Sequence, residues 1–376
     1  MLYDSHGKQG EWRNMKEAVI IGAGQTGRGF IAPILQANAY HITFVDKKKE
    51  LIEQLHEEKH YTVHYFGDAR EPIQIHGYDA YVLTDEKVVD LLAKADLITT
   101  SVFAGNIKEL APILNAAAKQ KAKKYMRVVC CENGVHVKQP LLDAGIPASI
   151  SEGVIFCTTL QPDEKSLTLI SEDITELPVD SSVEGIDFEI QGMPLEADFP
   201  SLIQRKIYTY NFMSAIVAYL GDYLNYDVYA DAANDPQIME LTDRCVPVVS
   251  AAIAREYEVE QDTQLAFTMQ AVRKFRNKDI IDTVYRNARQ AQRKLDKEER
   301  LYEPLRLAEK YDQRTGCILL TAAAAMRYAV VKEEADLHNL MKPYENFRSA
   351  DKLKEVYSMV QEHMPLKDII KVCADF

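Results

Sequence analysis

Between Glu17 and Asp46 the apolar positions change period twice. Ala18-Val19-Ile20-Ile21 is an unbroken apolar run, which predicts a strand covered on both faces inside a parallel sheet. Three glycines interrupt it between Gly22 and Gly27. Phe30-Ile31 and Ile34-Leu35 then recur at helical spacing, and Ile42-Thr43-Phe44-Val45 predicts a second strand that ends at Asp46. Asp96-Leu97-Ile98-Thr99-Thr100 and Val128-Val129-Cys130-Cys131 predict two more, with helical patterns between them. Strands alternating with helices predict an α/β, doubly wound parallel sheet.

The texture changes after about Pro200. Residues 201–224, 237–256, 265–276 and 316–332 carry helical spacing with few β-branched runs between them, so the second half is expected to be all-helical. The expected organisation is a nucleotide-binding domain over 15–200, a helical substrate domain over 201–376, and a polar extension over 1–14. The mixed, acidic stretch from Cys157 to Pro200 is left without an assignment; completing the sheet is one use for it.

Composition narrows the function. Apolar residues make up 47% and charged residues 27%, which excludes a disordered or fibrous chain and leaves ample material for a core. The net charge of −13 argues against nucleic-acid and anionic-membrane partners, which select basic surface. Six cysteines in no C-x-x-C pair suit the reduced thiols of a cytoplasmic protein. Met1–Asn14 lacks the apolar run of a secretory leader, and Cys317–Met326 is too short to span a bilayer.

Gly22-x-Gly24-x-x-Gly27 sits between a predicted strand and a predicted helix, and Asp46 ends the next strand nineteen residues later. That context marks a Rossmann-type dinucleotide turn. Gly22 permits the tight bend, Gly24 lets a pyrophosphate approach the backbone, and Gly27 lets helix and sheet pack closely. Gln25 and Thr26 would open the helix, whose free N–H groups face phosphate, and Thr100 would end a strand beside them. Asp46 would hold the ribose hydroxyls and repel a 2′-phosphate, favouring NAD. Lys47, Lys48 and Lys49 pull the other way. His56-Glu57-Glu58-Lys59-His60 matches the H-E-x-x-H zinc pattern. A predicted strand follows at once and no third helical ligand appears, so no metal is expected.

Several segments together resemble the polyol-specific long-chain dehydrogenases. The opening Gly22-Ala23-Gly24-Gln25-Thr26-Gly27-Arg28-Gly29-Phe30-Ile31, the segments Tyr61-Thr62-Val63-His64 and Asp96–Thr100, and Cys131-Glu132-Asn133 are similar to blocks of that family. In the helical half, Arg205-Lys206-Ile207-Tyr208-Thr209-Tyr210-Asn211 resembles its active-site helix. Arg286, Arg289-Gln290, Arg293-Lys294-Leu295, Arg300-Leu301 and Pro304-Leu305 keep the spacing of a further block. Two departures stand out. Ser214 occupies the position of the family's histidine, and 156–162 lacks its V-D-R signature.

The resemblance implies NAD as cofactor and a polyol, ketose or sugar phosphate as substrate. It also implies an alcohol oxidation in which Lys206 is the base and Asn211 and Asn133 hold the reacting oxygen, with Ser214 nearby. In a regular helix Lys206 to Asn211 spans ~140° and Asn211 to Ser214 about −60°, so all three can face one side. A lysine is a useful base at neutral pH only if burial and a neighbouring positive charge lower its proton affinity. Arg286, Arg289, Arg293 and Lys294 would bind a phosphate or carboxylate, or would instead form a solvated face pairing with Asp296, Glu298 and Glu299. A sugar-acid reductase of the tagaturonate or fructuronate type, and an idle NAD-binding sensor, stay open as alternatives. A monomer or weak oligomer is expected.

Overall fold

The computed structural model describes residues 15–376 apart from 122–124, 133, 135, 164 and 375. The chain divides between Phe199 and Pro200 into two compact units.

The first unit is built on a six-stranded sheet of β1 (Lys16–Ile21), β2 (Tyr40–Asp46), β5 (Asp79–Val82), β6 (Leu97–Thr100), β7 (Arg127–Cys130) and β8 (Ser149–Glu152). Its order is β5-β2-β1-β6-β7-β8, and every neighbouring pair is parallel. The unbroken apolar run of β1 has its cause here. Ala18 and Ile20 enter one core, and Val19 and Ile21 enter another on the opposite face. The helices α1 (Ala32–Ala37), α2 (Lys49–Glu58), α3 (Lys87–Lys94), α4 (Ala111–Gln120) and α5 (Gln139–Asp143) connect the strands.

A second sheet of order β4-β3-β10-β9 comprises β3 (His60–Tyr65), β4 (Ile73–His76), β9 (Thr159–Leu160) and β10 (Leu169–Ser171). The stretch from Cys157 to Pro200 therefore does not complete the parallel sheet. That sheet already ends at β8, and the stretch supplies β9 and β10 plus a two-stranded pair, β11 (Val179–Asp180) and β12 (Leu195–Glu196). Strands of two or three residues carry too little period for the pattern to reveal them.

The second unit is helical. α6 (Phe199–Lys206) runs through a π-turn, Ile207–Asn211, into α7 (Phe212–Tyr223). There follow α8 (Tyr229–Ala233), α9 (Pro236–Glu256), α10 (Gln261–Arg276), α11 (Val284–Ala288), α12 (Ala291–Lys294), α13 (Tyr302–Lys310), α14 (Gly316–Lys332), α15 (Leu337–Met341), α16 (Ala350–Gln361) and α17 (Leu366–Cys373). α7 and α14 are buried on nearly every side, as befits helices without a polar face. They form the centre around which the others pack. Asp235 caps α9 by accepting from the Gln237 and Ile238 amides at 2.9 and 3.1 Å. No helix among the described residues is long and apolar enough to cross a membrane.

Candidate active site

In the first unit the site begins at the bend after β1. Gly22 has φ of +102°, a conformation L side chains rarely adopt, and a Cβ there would lie 2.6 Å from the Ser101 carbonyl oxygen. At Gly27 a Cβ would lie 2.1 Å from the Gly22 carbonyl oxygen, so helix and strand close on each other only through hydrogen. At Gly24 nothing lies within 4 Å of that position. Gln25 is exposed and Thr26 half-exposed where the helix opens. Bare backbone at a helix start, with open space before it, fits a pyrophosphate.

The Asp46 carboxylate is fixed beside this turn. It accepts from the Ala23 amide at 2.7 Å and the Lys48 amide at 2.9 Å, which orients it toward the bend as a ribose acceptor requires. Lys47 and Lys48 are exposed, and Lys49 pairs with Glu53 at 3.4 Å. These residues could hold a dinucleotide by its pyrophosphate and adenosine ribose. Arg28 braces them from beneath. It is buried and donates to the Ala23 carbonyl at 2.7 Å, the Leu167 carbonyl at 2.9 Å and Gln161 Oε1 at 2.8 Å. Sequence reading quoted Arg28 in a motif without seeing this clamp, because two of its three partners lie more than 130 residues away.

Thr100 ends β6, but its side chain is closed off. It is fully buried and its hydroxyl donates to Glu132 Oε2 at 3.0 Å, so the side chain bears on a buried carboxyl at the strand end. The other oxygen of Glu132 accepts from the Val102 amide at 2.9 Å. Burial raises the Glu132 carboxyl to about 7 against the pull of these two donors. Asn133, the expected second oxygen donor, lies outside the described residues.

In the second unit Lys206 closes α6 and Asn211 closes the π-turn. This revises the rotation expected for a regular helix. A turn closed by i→i+5 bonds stacks residues five apart nearly above one another, so Lys206 and Asn211 come closer to one face than ~140° suggests. Lys206 is only partly accessible. Burial, then the nearby charges of Lys274 and Arg300, push its ammonium down to about 7. Ser214, in the first turn of α7, accepts a hydrogen bond from the buried Tyr229 hydroxyl at 2.9 Å, which leaves its own proton to donate elsewhere.

The four expected anion ligands do not act alike. Arg286 is exposed and pairs with Asp282 at 3.2 Å. Arg289 is exposed. Arg293 is exposed and engaged by Glu299, one of the three acids expected to pair with this face. Lys294 differs: it is 6% exposed, its Nζ donates to the Asn287 carbonyl at 2.5 Å, and it lies 5.8 Å over the Tyr219 ring. Burial, then Arg300 and Arg293, push it down to about 7. Arg300 is largely buried beside Glu299 at 3.3 Å and bears on both lysines. Sequence reading missed Arg300 as a site residue, although it stood in the quoted block.

The H-E-x-x-H match is broken by secondary structure. α2 ends at Glu58, Lys59 turns left-handed with φ of 58°, and His60 opens β3. The two imidazoles do not share a helix face. Among the described residues, no group of three or more metal-ligating side chains comes together. All six cysteines are free thiols, and only Cys157 is not fully buried.

A parallel sheet with a dinucleotide turn, followed by a helical unit that carries a lysine of lowered proton affinity, defines a two-domain oxidoreductase. The chain belongs to the mannitol dehydrogenase family. Residues 16–160 match the mannitol dehydrogenase Rossmann domain and 198–370 its C-terminal domain. The chain is 26% identical over 379 aligned positions to mannitol-1-phosphate 5-dehydrogenase of Caldanaerobacter subterraneus subsp. tengcongensis, covering 95% of this chain and 97% of that one. It is 28% identical to the enzyme of the same name from Enterococcus faecalis, over 77% and 80%. Among solved structures, substrate-free D-sorbitol dehydrogenase matches with a TM-score of 0.76 at 13% identity, covering 94% of this chain and 98% of that one. Pseudomonas fluorescens mannitol 2-dehydrogenase, in a ternary complex with NAD and D-mannitol, matches with 0.67 at 14%, covering 96% and 95%. At these identities the structural likeness is one of fold.

Proposed function

We propose that the chain is a cytoplasmic, NAD-dependent oxidoreductase that interconverts a polyol phosphate and its ketose phosphate, acting on a mannitol-1-phosphate-like substrate. One observation carries this reading: Lys206, held near neutral proton affinity, stands one π-turn from the amide of Asn211. A lysine that titrates at about 7 is a competent base at working pH. The names of these relatives support the phosphorylated substrate, and the carboxylate of Asp46 supports NAD over NADP.

The bound dinucleotide supplies a hydride acceptor. In the oxidation direction the neutral Lys206 amine takes the hydroxyl proton, while the Asn211 amide donates to the same oxygen as its carbonyl forms. Asn133 is proposed as the second donor and Ser214 as a further contact to the substrate. Gly22, Gly24, Gln25, Thr26 and Gly27 hold the pyrophosphate, and Thr100 supports them from below. Lys294, with Arg286, Arg289 and Arg293 toward solvent, meets the anionic end of the substrate. The test is reduction of NAD followed spectroscopically with mannitol 1-phosphate, free mannitol and sugar acids. Turnover confined to the phosphorylated polyol is expected. Turnover confined to a tagaturonate- or fructuronate-like acid would replace the substrate, and none with any member would defeat the reading.

A further inference from the structure

The mechanism leaves the buried carboxyl of Glu132 unused. Glu132 is 6% exposed, two residues beyond the C-terminal end of β7. Its two oxygens take a hydroxyl from the end of β6 and an amide from the next loop, Thr100 at 3.0 Å and Val102 at 2.9 Å. Ser101, between those two donors, gives its hydroxyl to the Gly22 carbonyl at 2.8 Å and its amide to the Ile21 carbonyl at 2.8 Å. The consecutive residues Thr100 to Val102 therefore tie the glycine turn and a buried carboxyl to one strand end.

The sheet order says which part of a dinucleotide lies over that carboxyl. β2, with Asp46, lies to one side of β1; β6 and β7 lie to the other. A cofactor with its adenosine ribose at Asp46 and its pyrophosphate at Gly22–Gly27 carries its nicotinamide half toward the ends of β6 and β7. The oxidised ring is a cation and the reduced ring is neutral. A carboxylate beside it distinguishes the two by charge alone.

We propose that Glu132 couples the redox state of the bound dinucleotide to a proton, its carboxylate favouring the oxidised cofactor and its neutral carboxyl the reduced one. This rests on the reading of the first unit as an NAD site. The charged or titratable groups around Glu132 are few. Glu152 on β8 repels its charge and so favours the protonated form. The thiols of Cys130 and Cys131 are themselves pushed up by burial and stay neutral. Lys138 directs its ammonium to Asp180 at 2.7 Å and its amide to Glu152 at 2.9 Å, and among the described residues no cation bonds to Glu132. Its carboxyl titrates at about 7, within the range where a ring charge decides its state.

The experiment is calorimetric binding of NAD and of NADH at about pH 6 and about pH 8. It uses the full chain carrying Lys206→Ala and Lys294→Met, which remove the two lysines that also titrate near 7. Raising the pH should tighten NAD relative to NADH by roughly tenfold, equivalent to one pH unit of displacement in the carboxyl. Adding Glu132→Gln should flatten that ratio while the melting transition persists. Thr100→Val, which removes a donor and keeps the carboxyl, should move the midpoint of the pH dependence upward. A ratio independent of pH before Glu132 is changed overturns the proposal. So does a dependence that survives Glu132→Gln, or a midpoint unmoved by Thr100→Val. Failure of the unaltered chain to bind either dinucleotide would strike the NAD reading itself, a distinguishable outcome.

Discussion

The glycine turn and the helix that carries Lys206 each lead into a π-turn, Gly27–Ile31 in the first unit and Ile207–Asn211 in the second, yet they make their sites in opposite ways. The first removes side chains. Gly22, Gly24 and Gly27 expose backbone, and the charges that matter there belong to Asp46 and to peptide N–H groups. The second crowds side chains together, and its chemistry comes from burying Lys206 and Lys294 with Arg300. A site of bare backbone should fail all at once when one Cβ is added. A site built by burial should respond gradually, through proton affinities.

The largest effect should come from Gly27→Ala, whose new carbon would meet the Gly22 carbonyl at 2.1 Å. Overpacking against rigid backbone should cost about 3 kcal/mol and abolish dinucleotide binding, measured by thermal melting and calorimetry. Gly24→Ala offers the contrast. Its Cβ meets no protein atom within 4 Å, so the melt should hardly move while binding weakens. Equal damage from both would break the distinction.

Lys206→Ala should reduce turnover by about 10²–10⁴ and leave NAD affinity nearly unchanged. Asp46→Ala should follow, narrowing the preference for NAD over NADP by roughly tenfold in direct binding; a wild type that prefers NADP would assign the choice to Lys47 and Lys48. Arg293→Ala should be the smallest. Its partner Glu299 and its exposure make the pair worth under about 1 kcal/mol, so the substrate KM should change by no more than about twofold. Lys294→Met, buried and unscreened, should raise that KM several times more.

Glu132 adds a stability test with a definite sign. Its carboxyl sits at about 7 in the fold against a usual 4.5, so the native state binds the extra proton between those values. Stability from this group falls as pH rises through that window. Glu132→Gln should therefore gain in melting temperature relative to the wild type between about pH 5 and about pH 8. Lys206 runs the other way: its depressed affinity makes stability rise with pH from about 7 toward its usual 10.5.

This contrast also explains what could be read in advance. Strand, glycine turn, helix and Asp46 are local, and local order was enough to place them. The α/β-then-helical architecture followed from period alone. What escaped depends on distant partners. Arg28 bonds across more than 130 residues, and Thr100 is covered by Glu132. The π-turn escaped for another reason: Ile207-Tyr208-Thr209-Tyr210-Asn211 has no composition that sets it apart from an ordinary helix. Short strands such as β9 and β11 leave no period to detect.

The central claim is that burial turns Lys206 into the base. The direct measurement is the pH dependence of kcat for polyol phosphate oxidation, in the wild type and in Lys206→Ala supplied with small primary amines. The wild-type rate should rise through a single ionisation near 7 and level off above it, as neutral amine replaces ammonium. The variant should lose that rise and regain activity in proportion to the basicity of the added amine. A rise near 7 that persists in Lys206→Ala, with no rescue by any amine, would contradict the account.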